Sequence, residues 1–155
     1  MLFELGKTLF LIHSVDIAPF YASGLITDID KNTGDVKERL KTHFDRGLQS
    51  LSEKLTQSET DNANSSAAEE LNKIKEACIV PCHANPSAQH TFVKSDNRFS
   101  GIIDFGDAYI SHPVFDIRRW SLNDRKSIVN GYMSSGKTDK NFSIVCDVSC
   151  ARQYN

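Results

Sequence analysis

Apolar residues recur at helical spacing along the first third of the chain. The opening segment is predicted to form a core helix, with an apolar face made by Leu2, Leu5, Leu9 and Ile12. A second helix is predicted to begin at Asp35, with an apolar stripe made by Val36, Leu40, Phe44, Leu48, Leu51 and Leu55. We expect Asp35 to cap this second helix and Glu38 to complete a capping box.

The composition changes in the middle of the chain. Residues 56–66 are rich in Ser and Asn and show no apolar period, so we expect a mobile polar connection there. A short helix over residues 67–77 is expected to follow. Neither side of the connection shows an independent fold, so we expect residues 1–155 to form a single domain.

The apolar period then shortens to that of β-strands. Three short runs, "CIVP", "HTFV" and "RFSGIID", are predicted strands, and Ser95-Asp96-Asn97 is a turn signal between the last two. These two runs predict a small β-hairpin whose second strand ends at Asp104. Further helices are predicted over residues 116–120, 124–133 and 141–154. The predicted fold class is therefore α+β, mainly helical with one small hairpin.

Composition and charge exclude several classes of partner. The chain has 155 residues, of which 18 are basic and 20 acidic, so its formal charge of -2 predicts neither nucleic-acid nor anionic-membrane binding. The apolar opening is too short and too often interrupted to span a bilayer, and it does not resemble a signal peptide. We therefore expect a cytoplasmic protein whose four cysteines are reduced thiols.

The segment from Cys82 to Asp107 concentrates the side chains that could carry chemistry. It includes "CHANPSAQH" and, after the hairpin, Asp104 and Asp107 on either side of a Phe-Gly turn. Glycine lets the chain bend so that a carboxylate can point back at the preceding loop, which would make a site for a hard cation. Alternatively, Asp104 ends a strand and Asp107 caps the next turn. His13 and His43 are interpreted as ordinary surface or core-edge histidines.

Two motifs together resemble the catalytic core of the aminoglycoside phosphotransferase family, which comprises ATP-dependent kinases of small molecules with a protein-kinase-like fold. They are "HANPSAQHTFV" and "SGIIDFGDAYISHPVFD". The family loop reads His-x-Asp-x-x-x-x-Asn, with His at the last position in some members. His83 matches the first position, and His90 matches the last. Asn85 stands at the position of the family's catalytic Asp. Asp104 matches the metal-binding Asp of the second motif. Asp116 fits a further acidic position, and His112 stands where the family has an aspartate.

The resemblance implies a kinase-like carboxy-terminal lobe, with the amino-terminal nucleotide lobe absent from this chain. It implies Mg²⁺ and ATP as cofactors, with Asp104 and His90 as metal ligands and His83 shaping the loop. Asn85 cannot accept a proton from a hydroxyl group, so general-base catalysis is lost. We therefore expect an inactive member of the family that binds neither cofactor tightly.

The resemblance also implies partners and leaves two other functions open. The acceptor would be a small polyol or an aminoglycoside-like molecule, and the surface around Phe92, Phe99 and Phe105 would be uncovered, which favours self-association or a partner chain. One alternative is a non-catalytic binding module for a small molecule or a protein. The other is a zinc-binding structural domain, whose candidate ligands are Cys78, Cys82, His83, Cys146 and Cys150.

Overall fold

Helices dominate residues 1–138 and residue 142, which are the residues that this computed structural model describes. The helices in this part are α1 Leu2–His13, α2 Ala18–Ser23, α3 Thr33–Ser50, α4 Gln57–Lys73, α5 Val114–Ile117 and α6 Leu122–Ser135. The strands in it are β1 Val80–Cys82, β2 Thr91–Val93, β3 Phe99–Ile102 and β4 Tyr109–Ser111. The chain is thus an α+β protein, as predicted.

Helix α1 forms from the predicted apolar stripe and packs closely on α6. Leu5 is fully buried and joins Ile128 in one core cluster. The two backbones meet at glycines: a Cβ at Gly6 would overlap the carbonyl oxygen of Ile128, and a Cβ at Gly131 would overlap that of Phe3. Only hydrogen fits at these two positions, so the glycines set the separation of the helices.

Helix α3 is capped by Asn32, and the predicted capping box of Asp35 and Glu38 is wrong. The Asn32 side chain accepts hydrogen bonds from the amides of Gly34 and Asp35, at 2.7 and 3.2 Å. The Asp35 carboxylate accepts from the Lys31 amide at 2.6 Å. Asn is as good a cap as Asp, and here it stands one turn earlier. The helix ends at residue 50, so the last two leucines of the predicted stripe follow it.

Helix α4 replaces the mobile connection that we predicted over residues 56–66. The Thr56 hydroxyl accepts from the Glu59 amide at 3.3 Å, and the Glu59 carboxylate accepts from the Thr56 amide at 2.8 Å. All residues from 57 to 73 are exposed or half-buried, and the half-buried ones, which include Ala67 and Leu71, recur at helical spacing. Leu71 packs against the core cluster that includes Val36 and Leu40 of α3. The short helix predicted over 67–77 is the second half of α4, which ends at Lys73.

Two small antiparallel sheets flank the candidate site. The hairpin of β2 and β3 is confirmed, with Thr91 paired to Ile102. Strand β4 was not predicted; it pairs with β1, so that Cys82 lies opposite Tyr109. A single bridge from Ile29 extends this second sheet on the far side of β4. The chain therefore leaves β1, forms the loop and then the β2–β3 hairpin, passes Asp104, and returns as β4 to pair with β1.

A charged cluster holds the 28–30 segment against α3. Arg39 donates to both carboxylate oxygens of Asp30, at 2.8 and 2.9 Å, and to both of Asp28, at 3.1 and 2.6 Å. Ser111 of β4 also donates to Asp30. The guanidinium lies 4.9 Å from the centre of the Tyr109 ring. The cluster therefore joins α3 to the edge of the sheet that carries the loop.

The predicted helix over 124–133 lies within α6, and the one predicted over 116–120 is the short helix α5. The helix predicted over 141–154 lies outside the described residues, apart from Phe142. Across residues 1–138, every helix is too short or too polar to cross a bilayer.

Candidate functional site

The loop between β1 and β2 begins at His83, whose ring is fully buried. Its Nε2 lies 2.8 Å from the carbonyl oxygen of Ile103, at the end of the hairpin. A carbonyl only accepts, so Nε2 carries the hydrogen, and Nδ1 accepts from the Asn85 amide at 3.3 Å. The ring of Phe105 packs on the His83 ring, with centroids 4.4 Å apart. His83 thus ties the start of the loop to the segment that carries Asp104.

The carboxylate of Asp116 in α5 organises the same end of the loop. It accepts from the His83 amide at 2.8 Å and from the Ala84 amide at 2.9 Å. Ala84 has a φ of 79°, a left-handed conformation that residues with a Cβ rarely adopt. Two amide donors on one buried carboxylate stabilise this unfavourable backbone.

His13 is buried at the end of α1, which corrects its interpretation as a surface or core-edge histidine. Its Nε2 lies 3.0 Å from Asp116, and its Nδ1 lies 3.0 Å from the Tyr132 hydroxyl. His43, in contrast, is half-buried at the edge of the core beside Arg118. His13 follows Leu9 by one helical turn, so the apolar stripe could have placed it on the buried face.

The other end of the loop brings His90 next to Asp104. His90 Nδ1 lies 2.8 Å from the Asn85 carbonyl oxygen, and Nε2 lies 3.3 Å from Asp104 Oδ2. Nδ1 therefore donates to the carbonyl, and in a neutral ring Nε2 would be a bare acceptor facing a carboxylate. A metal ion bound between these two acceptor atoms would make the arrangement favourable.

Asp104 projects from a strained turn that is open to solvent. Its φ is 70°, and the amide of the preceding Ile103 donates to the His90 carbonyl at 3.1 Å. The Asp104 side chain is 58% exposed, against 19% for His90. Asp107 is exposed in the following turn. An exposed carboxylate with an adjacent imidazole is accessible to a ligand from solvent.

Asn85 lies half-buried between the two ends of the loop. Its backbone carbonyl and amide are both used, by His90 and His83 respectively. Arg119 donates to the neighbouring Ala84 carbonyl at 3.2 Å. The side-chain amide of Asn85 can form a hydrogen bond with a hydroxyl group, but it has no basic atom that could remove the proton of that hydroxyl.

Among the described residues, His13, Cys82 and Asp116 form one group of three potential metal ligands. All three are buried, and each already has a hydrogen-bond partner; Cys82 Sγ lies 3.5 Å from the His112 carbonyl oxygen. Burial, and then the negative charge of Asp116, raises the pKa of the Cys82 thiol well above its usual value, which disfavours the thiolate that binds metal. Cys78 is exposed and lies outside this group.

The comparison with protein families gives one match. The model of the phosphotransferase enzyme family matches residues 1–125, which include α1, the loop, the hairpin and Asp104. No curated protein sequence matches the chain.

Solved structures with a similar fold include two macrolide 2'-phosphotransferases. The macrolide 2'-phosphotransferase of Brachybacterium faecium, solved as the apoenzyme, is 16% identical with a TM-score of 0.66, and the match covers 95% of this chain and 48% of that chain. A macrolide 2'-phosphotransferase type I is 14% identical with a TM-score of 0.65, covering 97% of this chain and 49% of that one. This chain therefore spans about half the length of both. Because the family model covers most of its sequence, the chain belongs to the phosphotransferase enzyme family.

Proposed function

We propose that this chain is a kinase-like carboxy-terminal lobe that carries the phosphoryl-transfer loop of a small-molecule kinase. One observation supports this proposal most directly: the structure brings His90 of the loop within 3.3 Å of Asp104 beyond the hairpin. In this role His83 shapes the loop, Asn85 occupies the position of the base, and His90 and Asp104 face the metal that accompanies ATP.

The donor atoms at His90 and Asp104 fit a divalent cation. The carboxylate offers oxygen, and the hydrogen bond from His90 Nδ1 to a carbonyl leaves Nε2 free to coordinate, which is the usual arrangement of a metal-binding histidine. A metal bound there with ATP would neutralise charge on the transferring phosphoryl group. The residues of the chain hold the ligands in place, and Asn85 orients the acceptor hydroxyl.

Mn²⁺ serves as a paramagnetic probe of this pair. We expect it to broaden the NMR signals of His90 and Asp104 before those of Asp96, an exposed carboxylate in the hairpin turn that pairs with Arg98. The substitution Asp104→Asn should abolish the selective broadening. Equal broadening at Asp96 and Asp104 would contradict a metal site.

We further propose that the chain does not transfer phosphate by itself. General-base catalysis contributes about 10²–10⁴-fold, and Asn85 cannot supply it. Positioning of the phosphoryl group contributes more, and we expect no saturable binding of ATP with Mg²⁺ at sub-millimolar concentration, because one lobe forms only one wall of a nucleotide cleft. A clear one-to-one calorimetric isotherm would contradict this expectation.

The substitution Asn85→Asp separates the lack of a base at residue 85 from the lack of bound nucleotide. We expect no gain in ATP consumption against a panel of aminoglycosides, macrolides and small hydroxylated amines, because a restored base has no bound nucleotide to act on. Asp104→Asn should also change nothing measurable in that assay. Activity that appears with Asn85→Asp and disappears when Asp104→Asn is added would show that this chain alone suffices for catalysis.

A binding module is the second candidate, and an apolar cavity favours it. The cavity has a volume of about 400 Å³ and is lined by Ile12, Val15, Phe20, Leu25, Ile26, Pro81, Cys82, Phe105, Gly106 and Ala108. This volume is within the usual range for small-molecule sites. The apolar lining suits a macrolide, the class that both structural neighbours are named for, better than the small polyol or aminoglycoside-like acceptor that the resemblance implies. Equilibrium dialysis against the same panel without ATP tests simple binding.

We also propose that the chain associates with itself or with a partner chain. Phe92 and Phe105 are 49% and 46% exposed on the side of the hairpin and the Asp104 turn. Exposed apolar groups of this size favour an interface. Light scattering at high protein concentration should show species larger than the monomer. A monodisperse monomer that binds little of an apolar dye would contradict the proposal.

A further inference from the structure

We propose that Tyr132 and His13 are positioning residues for the loop, acting through Asp116. The contacts run from the Tyr132 hydroxyl to His13 Nδ1, from His13 Nε2 to Asp116, and from Asp116 to the amides of His83 and Ala84. We call this series of contacts the relay. Its significance rests on the proposed function, because the relay matters only if this loop is the phosphoryl-transfer loop. The contacts of the relay are part of the fold, whatever the function of the loop.

The first step concerns the carboxylate that holds the loop. Asp116 is fully buried, and a buried carboxylate without enough donors is strongly unfavourable. Two backbone amides of the loop contact it, and His13 Nε2 provides a third donor at 3.0 Å. Removing the imidazole would leave the carboxylate to draw on the loop amides alone. His13 therefore fixes the orientation in which Asp116 meets the left-handed backbone at Ala84.

The second step concerns the orientation of the imidazole. The Tyr132 hydroxyl contacts the nitrogen opposite to the one that meets Asp116, so the ring is held at both nitrogens. Tyr132 is itself fixed between two rings: Phe10 packs edge-on at 5.3 Å, and Phe142 stacks at 5.3 Å with an angle of 6°. These two ring contacts hold the Tyr132 hydroxyl in the position where it contacts His13.

The third step links the position of Tyr132 to the packing of α1 against α6. Gly131 precedes Tyr132, and the backbone contact at Gly131 and Gly6 sets how close the two helices lie. His13 ends α1, and Tyr132 lies near the end of α6. The separation of these helices therefore determines whether the hydroxyl reaches the imidazole. We infer that the Tyr132 hydroxyl is one contact through which the position of α6 affects the loop.

Amide hydrogen exchange, followed by NMR without nucleotide, tests the relay. Tyr132→Phe keeps the ring and removes only the hydroxyl, and we expect exchange of the His83 and Ala84 amides to accelerate about 2- to 10-fold. His13→Gln should accelerate it about 10- to 100-fold, because a hydrogen bond to a charged group is lost or weakened. The control is Tyr21→Phe, which removes a hydroxyl from the exposed helix α2, away from the loop.

The amides of α3 serve as the reference for global unfolding, since α3 contributes to a separate core cluster. Selective acceleration in the loop with unchanged α3 amides supports a positioning role. Loop exchange at the parent rate in Tyr132→Phe, or acceleration equal to that of α3, would overturn it. If Tyr132→Phe does not fold, the same two outcomes are read from His13→Gln. Equal Mn²⁺ broadening at Asp96 and Asp104 would contradict the proposed function and would leave this result unaffected.

Discussion

The two ends of the loop between β1 and β2 differ in how firmly the rest of the protein holds them. At the buried end, His83 and Asp116 have no solvent exposure, and the Asp116 carboxylate receives three donors. At the exposed end, the Asp104 carboxylate is 58% exposed, and the contact that the structure gives its side chain is His90. One end belongs to the core, whereas the other belongs to the solvent-facing surface.

This difference separates the residues that shape the loop from those that would do chemistry. The buried end is held in place by several elements at once, because helices α1, α5 and α6 all contribute contacts to it. The Asn85 side chain makes no hydrogen bond within the described part of the chain. An amide and a carboxylate at this position should therefore leave the shape of the loop equally undisturbed.

The largest expected effect comes from separating α1 and α6. Gly131→Ala places a Cβ where the Phe3 carbonyl oxygen lies, so the helices must move apart and the buried end of the loop loses its support. We expect the free energy of unfolding to fall by about 3 kcal/mol or more in urea denaturation. The control is Gly101→Ala in β3, where a Cβ meets nothing within 4 Å. Equal losses in both variants would contradict the backbone contact.

A smaller effect is expected when each end of the loop loses a carboxylate in the same isosteric way. Asp116→Asn should lower the free energy of unfolding by about 2 kcal/mol, since the buried carboxylate that accepts from His13 and from two loop amides is replaced by a group with a single acceptor oxygen. Asp104→Asn should lower it by less than about 0.5 kcal/mol, because its side chain is largely solvated. Thermal denaturation of both variants measures this contrast. Similar shifts would show that the two ends are held alike.

Another small effect concerns Asp28, in the charged cluster at the edge of the β1–β4 sheet. Hydrogen bonding to Arg39 lowers the pKa of Asp28, so the pair stabilises the fold above the unfolded pKa of 3.8 and loses this contribution as the pH falls through the lowered value. Asp28→Asn should reduce stability by less than about 1 kcal/mol at neutral pH, because the carboxylate is 62% exposed. The difference from the parent should vanish in acid.

Urea denaturation of the parent and Asp28→Asn from neutral pH down to about pH 2 measures this dependence. The control is Asp107→Asn, which removes an exposed carboxylate near the other end of the loop. A difference between parent and Asp28→Asn that grows as the pH falls would contradict the sign of the pKa shift.

Short-range patterns account for the parts of the fold that were predicted correctly. The stripe of α1 and the turn between β2 and β3 depend on neighbours within a few residues, and both appear as expected. The predictions failed where two local signals competed. Asn32 and Asp35 are both good helix caps, and the chain uses the earlier one. Residues 57–73 show no apolar period in the sequence, but a capping box at Thr56 and Glu59 starts α4, and Leu71 near its end packs against a core cluster.

The sequence by itself determined the two motifs around His83 and Asp104, the hairpin between them and membership of the phosphotransferase enzyme family, because these depend on residue order. Only the tertiary structure decided which polar side chains support the loop. His13 meets Asp116 across 103 residues of chain and meets Tyr132 across 119. A buried polar group needs a partner, yet its identity depends on how distant helices pack, and no local pattern records that packing.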